Sequence, residues 1–273
     1  MRIWKTKIIA QLAAGFLLNT AAFAEPLTLS WQNEDEWRYS FSILAAIPAS
    51  TKGTSTVAGS PVPLDLDLGE ALDLLDFELA GRLESWRDDF GVIVDGYHTK
   101  LSAGGAFTLP VPPAVPVSVD ADIQQSAITL LLAKRLVLTN DTQIGRRFAF
   151  DLQAGARFNR LRQKITVLTP VATPVLGGTE TWFEPVIAGR SQWEFNDRWS
   201  ASLLADFGGF GAGGNDLQYG VTASANYRIA EDRSLRFGYA FYSIDFSTTR
   251  ADGAFAYDVE QHGPFFAYTW HFQ

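Results

Sequence analysis

The stretch Phe148-Ala149-Phe150-Asp151-Leu152-Gln153-Ala154-Gly155-Ala156-Arg157-Phe158 alternates between two sets of side chains with a period of two. One set is Phe, Phe, Leu, Ala, Ala and Phe, and the other is Ala, Asp, Gln, Gly and Arg. Because successive side chains of a strand point to opposite faces, the stretch predicts a strand with one apolar and one polar face. The stretch from Leu217 to Tyr227 divides in the same way.

Similar alternation recurs along most of the chain. Runs of about ten residues with one apolar face, separated by turn residues, are typical of barrels that cross a membrane with strands. We therefore predict an all-β fold, a transmembrane antiparallel up-and-down β-barrel of about 10 strands, within a range of about 8–12. The predicted strands are residues 36–48, 76–86, 90–101, 121–133, 147–159, 183–195, 199–208, 216–228, 234–246 and 257–272.

The predicted connections alternate between short and long. Tight polar turns are expected at 87–89, 196–198 and 230–233, and long connections at 49–75, 102–120, 160–182 and 247–256. An even strand number places both chain ends beside the short turns, which is the periplasmic side of a bacterial barrel. Two connections fit this pattern less well, a long turn at 134–146 and a short Gly-rich loop at 208–215.

The first residues are typical of a secretory signal peptide. Three basic residues precede an apolar stretch from Ile8 to Leu18, and small residues stand at Ala22 and Ala24. The apolar stretch is shorter than the ~20 residues that a spanning helix needs. We predict a signal peptide at 1–24 and one outer-membrane barrel domain at 25–273.

The composition narrows the classes of partner. The net charge of −8 argues against nucleic acid as a binding partner. There is no Cys, so disulfides cannot stabilise the secreted chain, and its stability has to come from burial or from a bilayer. The 20 Phe residues are compatible with aromatic girdles that face lipid.

The last predicted strand carries aromatic side chains at one parity, which we expect to face lipid. An aromatic residue at the end of such a strand resembles the C-terminal signal that the barrel assembly machinery recognises. Here Gln273 follows the final Phe. The predicted assembly signal consists of Phe266, Tyr268, Trp270 and Phe272.

Five short motifs are spread over most of the chain, namely Leu68–Phe77, Gly91–Tyr97, Pro185–Arg190, Asp206–Gly211 and Leu235–Tyr239. They resemble an uncharacterised family of small proteobacterial outer-membrane β-barrel proteins. The resemblance implies the barrel fold and an outer-membrane location, and none of the motifs carries a known catalytic role.

Charged residues share the parity opposite to the lipid-facing one. A basic residue facing the middle of the bilayer costs about 2–4 kcal/mol, so this shared parity predicts that the charges point into the lumen. Two interpretations are open, a paired ion network that fills the lumen and an acidic lumen that passes small cations or polar solutes. The predicted lumen charges are Glu78, Arg82, Glu84, Asp95, Asp151, Arg157, Glu184, Arg190, Glu194, Asp206 and Arg236.

Residues with the chemistry of catalysis or metal binding are few. His98, His262 and His271 lie in no motif typical of outer-membrane enzymes, so we expect no catalytic site. Asp258 and Glu260 share a face with His262, but residues four apart on a strand lie ~13 Å apart, so all three cannot share a metal. We expect neither a metal nor another cofactor.

Three of the predicted connections are rich in Pro and Val, at 57–66, 109–119 and 167–176. We expect them either to pack on each other over the barrel mouth or to form a recognition surface. Between the first two predicted barrel strands, the helical spacing of Leu68, Ala71, Leu72 and Leu75 predicts a short amphipathic helix.

Two functions remain after these exclusions, a structural or interaction role in the cell envelope and a narrow porin-like channel. An outer-membrane enzyme is the third and weakest alternative. The partners expected are outer-membrane lipids, the barrel assembly machinery during biogenesis, and an extracellular ligand or another envelope component.

Overall fold

A computed structural model describes residues 36–109, 115–141 and 146–272. The predicted signal peptide at 1–24 lies outside these residues. Nearly all of the described chain is strand, and the elements in chain order are β1 Arg38–Ala46, β2 Ser50–Val57, β3 Ser60–Asp67, α1 Leu68–Leu74, β4 Leu75–Arg87, β5 Phe90–Leu109, β6 Val115–Asp141, β7 Arg146–Leu168, β8 Val175–Glu194, β9 Trp199–Ala212, β10 Asn215–Ala230, β11 Arg233–Arg250 and β12 Gly253–Phe272.

Ten strands close into a barrel. From β4 to β12 each strand pairs antiparallel with the next, and β1 pairs with both β4 and β12. The predicted antiparallel barrel of ten strands is confirmed, and each predicted strand overlaps one strand of the barrel. Both Arg38 and Phe272 lie at one end of the barrel, which we call the terminal end; the opposite end is called the extended end.

The strands β2 and β3 form a hairpin that continues the wall toward the extended end. The terminal half of β12 pairs with β1, and residues 256–262 of β12 pair with β2. β3 pairs with β2 and ends the sheet, so its other edge is open. Pro61 and Pro63 on this edge strand have no N–H to donate, which hinders the addition of a further strand.

The predicted long loops were wrong. Residues 49–75 contain β2, β3 and α1, and the other long connections are mostly continuations of β5 to β8, β11 and β12. The Val-rich stretches pair in register as antiparallel hairpins, for example Val119 with Val167, because pairing satisfies their backbone groups and β-branched residues suit strands. The barrel wall therefore extends well beyond the predicted strands.

The two connections that fitted the predicted pattern poorly, at 134–146 and 208–215, contain continuations of strands. β6 continues to Asp141, so residues 134–141 are strand rather than turn. β9 likewise continues to Ala212, and a two-residue turn at Gly213-Gly214 joins it to β10. Both glycines have positive φ, 61° and 91°, a conformation that matches the twist of a hairpin and that other residues rarely adopt.

The predicted helix forms, but with a different buried face. Asp67 caps α1, since its Oδ1 accepts from the Glu70 N–H at 3.0 Å. Ala71 and Leu74 are buried, whereas Leu68 and Leu72, which the sequence placed on the apolar stripe, are exposed. The buried side packs on residues of β3, β5 and β6, namely Leu66, Leu101 and Ile123.

Burial alternates along most of each barrel strand. In β7, Asp151 and Gln153 are buried while Leu152 between them is exposed, and the same pattern runs through β8 to β12. The wall therefore has a polar buried interior and an exterior rich in exposed apolar side chains. No helix among the described residues is long and apolar enough to cross a membrane.

Candidate functional site

The lumen holds the charged residues that share one parity. Ten of the eleven predicted lumen charges are at most 4% exposed. Glu78 is the exception and is half-buried; its Oε1 accepts from the Ala46 N–H at 3.4 Å. The ten are Arg82, Glu84, Asp95, Asp151, Arg157, Glu184, Arg190, Glu194, Asp206 and Arg236.

The first ion cluster is centred on Arg190 of β8. Its Nη1 lies 2.8 Å from Oε1 of Glu84, and its Nη2 lies 2.8 Å from Oδ2 of Asp151. Asp151 is its direct cross-strand partner on β7, whereas Glu84 lies on β4. One guanidinium thus connects distant parts of the wall.

Two further arginines complete this cluster. Arg82 donates to Glu84, its neighbour at i+2, and its Nη1 lies 3.2 Å from Oδ1 of Asp95. Arg135 donates from Nε to Oδ1 of Asp151 at 2.7 Å. Each carboxylate of the first cluster therefore contacts at least one guanidinium, as buried charges require.

Trp86 fills the space between these charges. Its indole N–H donates to Oε2 of Glu84 at 2.8 Å. The guanidinium of Arg135 lies 4.7 Å from the ring centroid, and that of Arg190 lies 5.2 Å from it. These are cation–π distances, so the aromatic ring also favours the positive charges.

The second ion cluster is centred on Arg157 of β7. Its Nη1 lies 3.1 Å from Oε1 of Glu184, and its Nη2 lies 2.7 Å from Oδ1 of Asp206. Its Nε donates to Oγ1 of Thr129 at 3.2 Å. The arginine thereby connects strands β6, β7, β8 and β9 from the inside.

Glu184 links the second cluster to an aromatic layer. The indole N–H of Trp182 donates to its Oε2 at 3.0 Å, and Asn215 donates to the same oxygen. The Trp182 ring stacks on Phe246 of β11 with centroids 4.0 Å apart. Trp182 and Phe246 therefore bridge β8 and β11 across the interior.

An aromatic layer lies inside the barrel toward the extended end. Besides Trp182 and Phe246 it contains Phe255, Tyr257 and Leu161, all buried. A hydrogen bond from Ser55 Oγ to Gln163 Oε1 at 3.1 Å joins the β2–β3 hairpin to β7 at this level. The hairpin thus contacts the opposite wall rather than leaving the mouth open.

Glu194 and Arg236 make further contacts in the lumen. Oε2 of Glu194 is 3.8 Å from Nε of Arg147, near the terminal end. Arg236 donates from Nε to Oδ1 of Asn226 at 2.6 Å. The structure therefore divides the predicted single network into two clusters and several local contacts.

Several residues of these clusters were missed by the sequence analysis. Arg135 lies past the predicted end of its strand at residue 133. Trp86 shares the parity of Glu84 two positions away, so parity alone was sufficient to place it inside. Trp182 shares the parity of Glu184 but precedes the predicted start of its strand at residue 183. The predicted lumen residues were all charged, so the tryptophans were not among them.

The histidines and the acidic pattern beside His262 form no common site. Asp258 and Glu260 are exposed, and His262 contacts the hydroxyl of Tyr239. In the described part of the chain, no three His, Cys, Asp or Glu side chains are grouped as metal ligands would be. His98 pairs with Ser126, and His271 with Ser234.

The residues of the predicted assembly signal lie on the outer face of β12. Phe266, Trp270 and Phe272 are exposed and Tyr268 is partly exposed. Phe272 stacks on Tyr39 with ring centroids 5.9 Å apart, and Trp270 on Phe41 at 6.0 Å. These pairs cover the seam between the first and last strands of the barrel.

Comparison with solved structures finds outer-membrane barrels. The outer-membrane protease OmpT from Escherichia coli is similar with a TM-score of 0.41 and 10% identity, covering 86% of this chain and 96% of that one. Neisserial surface protein A has a TM-score of 0.31 and 9% identity, with 86% and 96% covered. The attachment invasion locus protein Ail of Yersinia pestis has 0.30 and 14%, with 87% and 99% covered.

No family model matches the chain, and no curated protein sequence matches it. The likeness to the three barrels concerns the fold alone.

Proposed function

We propose that this chain is an outer-membrane β-barrel of a Gram-negative bacterium, with a closed lumen and a structural or interaction role in the cell envelope. Backbone groups in lipid have to be paired, and a closed barrel is the arrangement of strands that achieves this. The motifs quoted above support membership of the proteobacterial barrel family named there.

The height of the apolar exterior supports a membrane-spanning position. On β7 the outward residues from Phe148 to Phe158 are Phe, Phe, Leu, Ala, Ala and Phe. At ~3.3 Å per residue and a tilt of ~40°, this segment rises about 25 Å along the barrel axis. That value is the thickness of the apolar band of outer-membrane barrels.

Exposed aromatic side chains lie toward both ends of the barrel exterior. Those nearer the terminal end include Tyr39, Trp199 and Phe272, and those nearer the extended end include Phe77 and Phe207. Aromatic girdles of this kind favour the two membrane interfaces. With the short turns in the periplasm, the extended end points out of the cell.

The main support for the structural role is that the lumen charges are buried. A pore that admits water would leave its lining accessible, but Arg82, Arg157, Arg190 and Arg236 are at most 2% exposed. Ten strands are also close to the size at which side chains fill a barrel. We therefore assign the interior to stabilising the barrel and the extended end to contacts with an extracellular ligand or envelope partner.

A narrow channel is the second candidate. Gln153 and Asn159 are buried in the lumen, and their amide groups lack hydrogen-bond partners within the described residues. Buried amides of this kind favour bound water or a passing polar solute. Because carboxylates outnumber arginines among the predicted lumen charges, such a path would prefer cations.

The proposal includes no catalytic role and no cofactor. Its partners are outer-membrane lipids and, during biogenesis, the barrel assembly machinery.

The test has two measurements on the full chain. Cells that express it should contain a heat-modifiable band in the outer-membrane fraction, and recovery in the soluble periplasm contradicts the location. The purified barrel in a planar bilayer should show no conductance under the closed-lumen proposal. A small cation-selective conductance supports the channel candidate instead, and a large unselective one excludes both.

A further inference from the structure

Three basic residues form a ladder on the outer face of β7. Arg160, Arg162 and Lys164 alternate along the strand, and each side chain is partly exposed. The whole chain carries a net charge of −8. Three cations within five residues therefore have the sign opposite to that of the net charge. The ladder is a local cluster of basic side chains on an acidic protein.

The ladder begins where the apolar band ends. Phe158 precedes Arg160 on the same face, and its ring centroid lies 4.9 Å from that of Phe183. Ile128 and Phe183 flank Phe158 in register on β6 and β8 and are 59% and 69% exposed. In the next row toward the extended end, Ser126, Arg160 and Thr181 replace them.

A surface groove of about 490 Å³ accompanies the ladder toward the extended end. Ser102, Asp120, Asp122, Arg162 and Lys164 line it. Arg162 is partly neutralised, since its Nε lies 3.5 Å from Oδ1 of Asp122.

Two cations of the ladder, Arg160 and Lys164, form no direct ion pair with a carboxylate among the described residues. Lys164 lies opposite Asp122 in the register of β6 and β7, but the Asp122 carboxylate contacts Arg162. A Lys or Arg next to a bilayer surface attracts anionic headgroups.

We infer that Arg160 and Lys164 bind the phosphate groups of a phosphorylated lipid in the outer leaflet, while its acyl chains lie on Ile128, Phe158 and Phe183. The inference rests on the outer-membrane location proposed above. An amphiphile fits better than a free anion because the cations directly adjoin a surface that is apolar and exposed. Lys and Arg contact phosphate with charge-assisted hydrogen bonds, which strengthens the contact.

The experiment compares lipid binding by two charge-matched variants. The folded full-length barrel in detergent micelles is titrated with fluorescent diphosphoryl lipid A. Arg160→Gln with Lys164→Gln should weaken binding by about 25-fold, which is about fivefold for each cation removed at a surface. The control, Lys134→Gln with Arg198→Gln, removes two exposed cations at the terminal end and should bind like the unmodified chain.

Two further ligands test whether the affinity comes from the phosphate groups alone or from the lipid as a whole. The variant with Arg160→Gln and Lys164→Gln is called the ladder variant. The unmodified barrel should bind lipid A without phosphates weakly, about as weakly as the ladder variant binds diphosphoryl lipid A. Inorganic phosphate should compete poorly; if it competes as well as the lipid does, the site is a simple anion site and the inference is wrong. Equal binding by the ladder variant and the control also overturns it.

A parallel measurement distinguishes this inference from the proposed function. All variants should fold into phosphatidylcholine vesicles with the same heat-modifiable band. If the unmodified chain fails to fold there, the proposed membrane location fails. Normal folding without any phosphate dependence contradicts the lipid site alone.

Discussion

Arg190 reaches across the lumen to Glu84, and its Nη1 lies 2.8 Å from one carboxylate oxygen and 2.9 Å from the other. Along the wall, β8 and β4 are separated by the three strands β5, β6 and β7. Both side chains are at most 1% exposed, so the pair lies in a medium that screens charge weakly. The contact connects two sides of the barrel that share no backbone hydrogen bond.

Replacing Arg190 tests how far this contact stabilises the barrel. Arg190→Met leaves Glu84 and Asp151 buried with fewer positive partners, and we expect unfolding to cost about 3–5 kcal/mol less. The measurement is urea unfolding of the barrel in phosphatidylcholine vesicles. Arg198→Met, at an exposed turn, is the control and should change the free energy by at most about 0.5 kcal/mol. Equal losses would mean that the cross-lumen pair contributes nothing specific.

The lipid-facing parity is tested on a single strand. Leu152→Arg places a charge on the exposed apolar face of β7, and we expect a loss of about 2–4 kcal/mol of folding free energy in vesicles. Thr166→Arg is on the same strand and face but beyond Lys164, in the polar extension, and should cost less than about 1 kcal/mol. If both variants lose the same amount, the band on β7 is not in lipid.

Under the proposed membrane location, the wall of the barrel was predictable from sequence because lipid imposes a local rule. Every outward residue of a spanning strand has to be apolar, so Phe150, Leu152 and Ala154 reveal the strand and its parity without knowledge of its neighbours. The same rule placed ten charges inside, Arg82 and Arg190 among them.

The partners of those charges were not predictable in this way. Arg190 meets Glu84 only because of the register and stagger of all intervening strands, which no local pattern records. Arg135 enters the first cluster beside a register irregularity between Arg135 and Val137. The strand extensions were missed for a related reason: outside lipid, neither face has to be apolar, so the alternation weakens although the pairing continues.

We expect Trp182 to help close the lumen toward the extended end, as the proposed function requires. Trp182→Ala removes the ring that stacks on Phe246 and leaves a cavity, so we expect a loss of about 3–5 kcal/mol of stability. We also expect channel activity in planar bilayers to rise above that of the unmodified barrel. Trp193→Ala, an exposed position on the same strand, should leave conductance unchanged. A closed lumen in both variants would show that other side chains suffice.

A contact between two hairpin tips at the extended end should depend on pH. The Gly177 N–H donates to the carboxylate of Asp252 at 2.9 Å and thereby lowers the pKa of Asp252. A lowered folded-state pKa stabilises the contact above the ordinary Asp pKa of about 3.9, and this contribution is lost as the pH falls further.

Amide exchange of Gly177 measures this contact. The protection of this amide, the factor by which it exchanges more slowly than an unstructured peptide at the same pH, should be high at neutral pH. It should fall at pH values below the ordinary Asp pKa of about 3.9, as the carboxylate is protonated. Asp252→Asn should exchange faster at neutral pH and lose the acid-dependent change. An unmodified chain whose Gly177 protection shows no step at acid pH contradicts the role of Asp252.

The C-terminal aromatic residue separates assembly in cells from intrinsic stability. Phe272 is exposed and stacks on Tyr39, so Phe272→Ala removes one surface contact worth about 1 kcal/mol. If the assembly machinery recognises this residue, the heat-modifiable fraction in cells should fall severalfold, while refolding into vesicles without the machinery stays nearly normal. Phe207→Ala removes an equally exposed ring on β9 and should assemble normally in cells. Equal assembly of the two variants in cells would mean that Gln273 after Phe272, or another segment, provides the signal instead.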